Sequence, residues 1–206
     1  MAIIVLIGVG IIMALSLFYH LWFLRNPARI SPKGNVIVSP AMGKISRIIE
    51  IKNGAPVTIP KGFIGKINTL TNDTIQKGYL ITIIMTPLDV HYQRMPIDGK
   101  IISVKYDKGT FLNAVQGDTF KATLENEHNE ILIENKKIGK IKVIQIAGFV
   151  ARRIVCSARK NQKLKIGATL GLIRLGSQVA LIIPKLPLHV KEGQKVTDGE
   201  TIIATY

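Results

Sequence analysis

The sequence predicts an all-β fold, a flattened barrel or sandwich of hairpins, entered through one N-terminal transmembrane or membrane-anchoring helix. Three observations carry that expectation. Residues 2–24 contain no Asp, Glu, Lys or Arg. Beyond them, short runs rich in Val, Ile and Thr recur between Gly, Pro, Asn and Asp, which is the pattern of strands and turns. A hexapeptide also repeats, Pro40-Ala41-Met42-Gly43-Lys44-Ile45 against Pro96-Ile97-Asp98-Gly99-Lys100-Ile101, as expected of sheets built from similar hairpins.

The first element is residues 1–24. At about 1.5 Å per residue, a charge-free run of this length crosses a hydrocarbon core of roughly 30 Å. No basic segment precedes the run and no small-x-small site follows it, which favours an anchor over a cleaved signal peptide. Arg25, Arg29 and Lys33 follow at once, so the positive-inside tendency puts the remaining domain, residues 25–206, on the cytoplasmic side of the cell membrane. His20 reads as an interfacial residue of the anchor.

The strands then follow in order: NVIVSP (35–40), YLITIIM (79–85), GKIISVKY (99–106), EILIEN (130–135), GKIKVIQIAG (139–148), QVALIIP (178–184) and ETIIATY (200–206). Few stretches show a helical period, so at most one short helix is expected after the anchor. The hairpin-like segment Val190–Val196 has weaker echoes at Ile75–Gly78 and Tyr106–Gly109. A formal charge of +15 on 206 residues calls for an anionic partner, and the apolar N-terminus decides for a phospholipid surface over nucleic acid. The single cysteine, Cys156, offers neither an intramolecular disulfide nor a metal cluster, which suits a reducing compartment.

Chemistry enters at Gly176-Ser177, within GLIRLGSQVALIIP (171–184). Taken alone the pair is a common turn dipeptide. It stands, however, at the end of an ordered series: FLRNPARISP (23–32), VSPAMGKI (38–45), MTPLDVHYQRMPIDGKI (85–101), GTFLNA (109–114), NEH (126–128) and IAGFVARRIV (146–155). In this order and spacing the motifs resemble the phosphatidylserine decarboxylase family, in its short form that includes archaetidylserine decarboxylases. The resemblance covers everything after the first 22 residues.

The resemblance implies that the Ser177 hydroxyl attacks its own backbone, that the Gly176–Ser177 amide becomes an ester, and that elimination and hydrolysis leave a pyruvoyl group derived from Ser177. The products would be residues 1–176 and a fragment of 30 residues. The implied substrate is an anionic serine phospholipid in the membrane, converted to the ethanolamine phospholipid. The two fragments would stay associated, and a homodimer is compatible with the family.

For acid and base work the resemblance selects His91, whose ordinary pKa lies near neutrality; the bland reading is a histidine packed at a strand end. Asp89 and Asp98 are candidate orienting carboxylates. Arg94, Arg152 and Arg153 are candidate substrate-binding cations, although strand alternation sends Arg152 and Arg153 to opposite faces, and a solvated basic surface is the plain alternative. His128 stands where the family often has Arg, and His189 carries no signal. One departure matters: where the family usually has aspartate, this chain has Met42, and a thioether cannot orient a proton. Two readings therefore stay open beside the decarboxylase, an unprocessed lipid-binding relative and a lipoyl- or biotinyl-like membrane adaptor whose attachment site would be Asp107-Lys108.

Overall fold

The structure, a computed structural model, describes residues 1–53, 56–60, 66–69, 71–108, 127–147, 154–174 and 177–206. Helix α1 (Ala2–Leu17) runs into a π-helical turn, Phe18–Phe23. Together they make one apolar helix of 22 residues, long enough to cross a membrane. Its side chains are exposed around the whole circumference until Phe23, which is fully buried. Among the described residues such a surface has no counterpart to cover it, as expected of a helix whose solvent is lipid.

Among the described residues fifteen strands follow: β1 (Val36–Val38), β2 (Gly43–Ile51), β3 (Val57–Pro60), β4 (Lys66–Thr69), β5 (Gly78–Met85), β6 (Tyr92–Arg94), β7 (Gly99–Asp107), β8 (His128–Asn135), β9 (Gly139–Ala147), β10 (Ile154–Cys156), β11 (Lys163–Leu164), β12 (Thr169–Ile173), β13 (Ser177–Pro184), β14 (Lys195–Val196) and β15 (Ile202–Thr205). Each of the seven β-branched runs forms a strand, and among the described residues no helix follows Phe23. Eight strands build a curled half-barrel in the order β11-β7-β8-β9-β13-β5-β2-β14. Smaller sheets pair β10-β12-β6, β1-β15 and β3-β4.

The hexapeptide repeat has a structural counterpart. Gly43 opens β2 and Gly99 opens β7, each the second strand from an end of the large sheet, and each lies beside a two-residue edge strand, in the pairs Val196↔Gly43 and Leu164↔Gly99. Both glycines are demanded by close backbone approach. A Cβ on Gly43 would collide with the carbonyl oxygen of Ile84, and one on Gly99 would come within 2.7 Å of the Glu134 oxygen.

Strand β13 runs through the middle of the sheet, between β5 and β9. Alternation divides its residues between two cores. Val179, Leu181 and Ile183 join the main cluster, while Ala180 and Ile182 join a smaller one with Leu80, Ile144 and Ile146 on the opposite face. A strand buried on both faces reads as a continuous apolar run, which is what VALII is. The connection from Asp107 to His128 spans 20 intervening residues. Lys108 therefore does not sit at the tip of a tight hairpin, the position an attachment lysine would need.

Candidate active site

His91 is set by the turn that joins β5 to β6. The Asp89 carboxylate closes this turn, its Oδ2 accepting hydrogen bonds from the Thr86 amide and the Thr86 hydroxyl, both at 2.7 Å. That braces the Asp89 carbonyl, which lies 2.9 Å from His91 Nδ1. A carbonyl only accepts, so Nδ1 carries the proton and the neutral ring's Nε2 holds a lone pair. The imidazole is completely buried, and among the described residues Nε2 has no hydrogen-bond partner. A buried unpaired acceptor is costly and is kept where a site needs it.

The ring lies against the end of the apolar helix, with Phe23 at 4.0 Å between centroids and inclined by 34°. Burial is the main reason that the His91 pKa falls below the ordinary imidazole value. Asp89, through its backbone bond and its charge, pulls the other way, and the Arg25 charge adds to the lowering.

The His91 carbonyl accepts from the Ile173 amide at 3.2 Å and from Gln93 Nε2 at 2.7 Å. Gln93 Oε1 in turn accepts from Gln145 Nε2 at 2.8 Å, and Gln145 Oε1 from Asn129 Nδ2 at 2.9 Å. This buried amide relay fixes β6 against β8 and β9. Ile173 ends β12, and four residues later Ser177 opens β13 opposite Met85 and Ala147. The chain thus passes directly from the backbone beside His91 to the serine. Gly176 and the Ser177 side chain lie outside the described residues, as do Arg152 and Arg153.

Met42 belongs to the same neighbourhood. Its sulfur lies 3.4 Å from the Val90 amide and 3.9 Å from Arg29 Nη2. The position read as the family's aspartate is therefore adjacent to the residue before His91. Asp98 is elsewhere: its carboxylate accepts from the Ile166 amide at 2.7 Å and from Lys165 at 3.3 Å. His91 bonds Ile173, the last residue of β12, whereas Asp98 bonds the Lys165–Ile166 segment that precedes β12.

Arg94 is committed to the framework. It donates to Asp198 Oδ2 at 2.7 Å, to the Gly167 carbonyl at 3.1 Å, and to Asn26 Oδ1 and the Pro27 carbonyl, each at 2.7 Å. Arg29 takes the other oxygen of the buried Asp198 at 2.6 Å. Sequence alternation gave no hint of this cluster, because Asp198 lies 104 residues from Arg94 and 169 from Arg29 along the chain.

Two further residues come from the structure alone. Arg174, three residues before Ser177, has a buried Nε without a partner among the described residues. Glu127 is buried and accepts from the Tyr106 hydroxyl at 2.8 Å and the Ile154 amide at 3.1 Å. Its carbonyl receives the amide of Ala147, the residue opposite Ser177. The Arg-Leu-Gly-Ser and Asn-Glu-His spacings were the available signals for both.

A buried imidazole at the foot of an apolar helix, with one nitrogen unpartnered among the described residues and the residue's carbonyl bonded to the strand that precedes Ser177, defines a candidate acid–base site on a β scaffold. A sequence profile of the phosphatidylserine decarboxylase family matches residues 17–204. The chain is 39% identical to the phosphatidylserine decarboxylase proenzyme of Wolbachia sp. subsp. Brugia malayi over 96% of its length and 80% of that relative. It is also 39% identical to a provisionally named archaetidylserine decarboxylase proenzyme of Methanocaldococcus jannaschii, over 91% of this chain and 90% of that one. A phosphatidylserine decarboxylase proenzyme of Pelodictyon phaeoclathratiforme is 36% identical over 93% and 81%. The chain belongs to the phosphatidylserine decarboxylase family.

Proposed function

We propose that this chain is a proenzyme that cuts itself between Gly176 and Ser177 and then decarboxylates a serine phospholipid, diacyl or archaeal ether-linked, using a pyruvoyl group derived from Ser177. The observation that supports it most is the buried Nε2 of His91, without a partner among the described residues, beside the backbone that leads to Ser177. These residues fit the group: a base is available to make it, and the orphaned Nε of Arg174 lies three residues from where it would form. When formed, a pyruvoyl ketone withdraws the electrons released as carbon dioxide departs.

In self-cleavage, His91 Nε2 takes the Ser177 hydroxyl proton as Oγ attacks the Gly176 carbonyl, and the proton passes to the amide nitrogen as the C–N bond breaks. In turnover, the same nitrogen takes a proton from the substrate's ammonium group as that amine is engaged and delivers it to the substrate carbon that has lost its carboxylate. Phe23, fully buried and 4.0 Å from the imidazole between centroids, keeps water from the ring. Arg174, joined by Arg152 or Arg153, supplies guanidinium forks for the substrate's carboxylate and phosphate. Asp89 acts through the turn it closes, as a positioning residue for His91. The apolar helix anchors the domain at the cell membrane, with Arg25, Arg29 and Lys33 favouring the cytoplasmic face.

Met42 supports a second reading, an unprocessed relative that binds lipid without turning it over. Carbon dioxide release from vesicles containing serine phospholipid separates the two. Release by the wild-type chain, abolished in Ser177→Ala, supports the enzyme; no release from a chain that nonetheless binds the vesicles supports the second reading.

A further inference from the structure

The turn that positions His91 also presents a leucine to the outside, next to the end of the apolar helix. Leu88 is 63% exposed, although its turn is held closed by the Asp89 carboxylate. Its carbonyl accepts from Arg25 Nη2 at 2.6 Å, while Arg25 Nη1 donates to the Trp22 carbonyl at 2.8 Å. The same guanidinium stands 4.4 Å from the centre of the Trp22 ring. One rigid planar group therefore holds Leu88 level with Trp22, in the last turn of the apolar helix. Leu21 and Trp22 are themselves exposed, at 73% and 48%.

This arrangement has the chemistry of a bilayer boundary. Tryptophan prefers that layer, and an arginine there keeps its charge in the headgroups while its stem lies along apolar surface. No free tether separates helix from domain, because Arg94 holds Asn26 and Pro27, and Asp198 holds Arg29. Leu88 is thus carried to whatever depth the helix end reaches.

We propose that the 86–89 turn is a second membrane contact, with Leu88 entering the interfacial layer of the leaflet that receives the helix end, so that His91 is held against the lipid headgroups. The occupant is lipid because the exposed Leu88 is tied through Arg25 to Trp22, in the same helix turn as the exposed Leu21, at the end of a helix apolar and long enough to cross a bilayer. The catalytic consequence rests on the decarboxylase reading; the contact itself does not.

The test uses the full chain in phospholipid vesicles. Trp22 is the only tryptophan, so Trp22→Phe combined with Leu88→Trp places a single reporter at the turn. Acyl chains brominated near the headgroup should quench it and its emission should be blue-shifted. An unquenched reporter, whether red-shifted in water or blue-shifted against a second copy or a protein, overturns the proposal. Leu88→Asp should lose roughly tenfold in turnover of serine phospholipid in vesicles while keeping wild-type turnover of a water-soluble short-chain phosphatidylserine. Equal loss on both substrates, or none on either, overturns it too. If wild-type protein turns over neither substrate, the decarboxylase reading fails and the quenching result alone decides the contact.

Discussion

A histidine works as a base only in the state that its surroundings select, and His91 is held neutral by burial. Replacing it with glutamine keeps the volume but removes the base, so self-cleavage should slow by about 10² to 10⁴, the usual share of a general base; time-resolved gels check this. The pH response has a definite sign. The base form exists above the folded pKa, which lies below the ordinary value because of desolvation, so cleavage should persist into mildly acidic solution and fail only as pH drops through that lowered value. Phe23→Ala admits water to the ring, raises the pKa toward its ordinary value and should move the acid limb to higher pH. Asp89 and Arg25 still act in opposite directions on the same ring, and Phe23→Leu should restore the wild-type profile. Met42→Asp should speed cleavage by on the order of tenfold, since a carboxylate there would accept from the Val90 amide, which now meets a thioether, and would stand within reach of Arg29, which also holds Asp198. An unchanged rate in Met42→Asp would count against the role given to this position.

Among the elements, the segment after the helix depends on one carboxylate. Asp198 has a side chain with no exposure, and its two partners, Arg29 and Arg94, are 14% and 9% exposed. Asp198→Ala leaves two guanidiniums in a dry setting without their anion, which should cost about 3–5 kcal/mol. Denaturant unfolding in detergent measures it, and a loss under 1 kcal/mol would contradict the account. Such an ion cluster joins residues remote in sequence, which is why reading alternation along one strand could not find it. The strands themselves were legible, because β-branched runs bounded by turn residues need no long-range information. So was the repeat, since Gly43 and Gly99 answer the same local demand for backbone approach. Arg94, by contrast, read as a substrate cation from the motif alone, and its engagement by four acceptors is a fact of tertiary structure.

For the whole molecule, a charge of +15 and an apolar helix act together. The helix should keep the chain in the membrane fraction through high-salt washing, because insertion is hydrophobic and salt screens only the attraction of basic residues for anionic lipid; recovery of the protein in the salt wash would contradict an inserted anchor. The helix and the β domain were each readable from composition and pattern. Their junction was not: Phe23 packing on His91 joins an anchor to a site 68 residues away in sequence, and no periodicity announces that contact. His91 and the serine-headed strand were found through the ordered motifs, whereas Arg174 and Glu127 emerged only when burial and hydrogen bonding could be examined atom by atom. The measurement that bears most directly on the central claim is the intact mass of freshly made protein, denatured, with and without borohydride trapping in the presence of an amine. The account predicts two chains divided between Gly176 and Ser177, the smaller blocked at its N-terminus and gaining the amine's mass on reduction. One continuous chain of 22.7 kDa with no trappable carbonyl would contradict it.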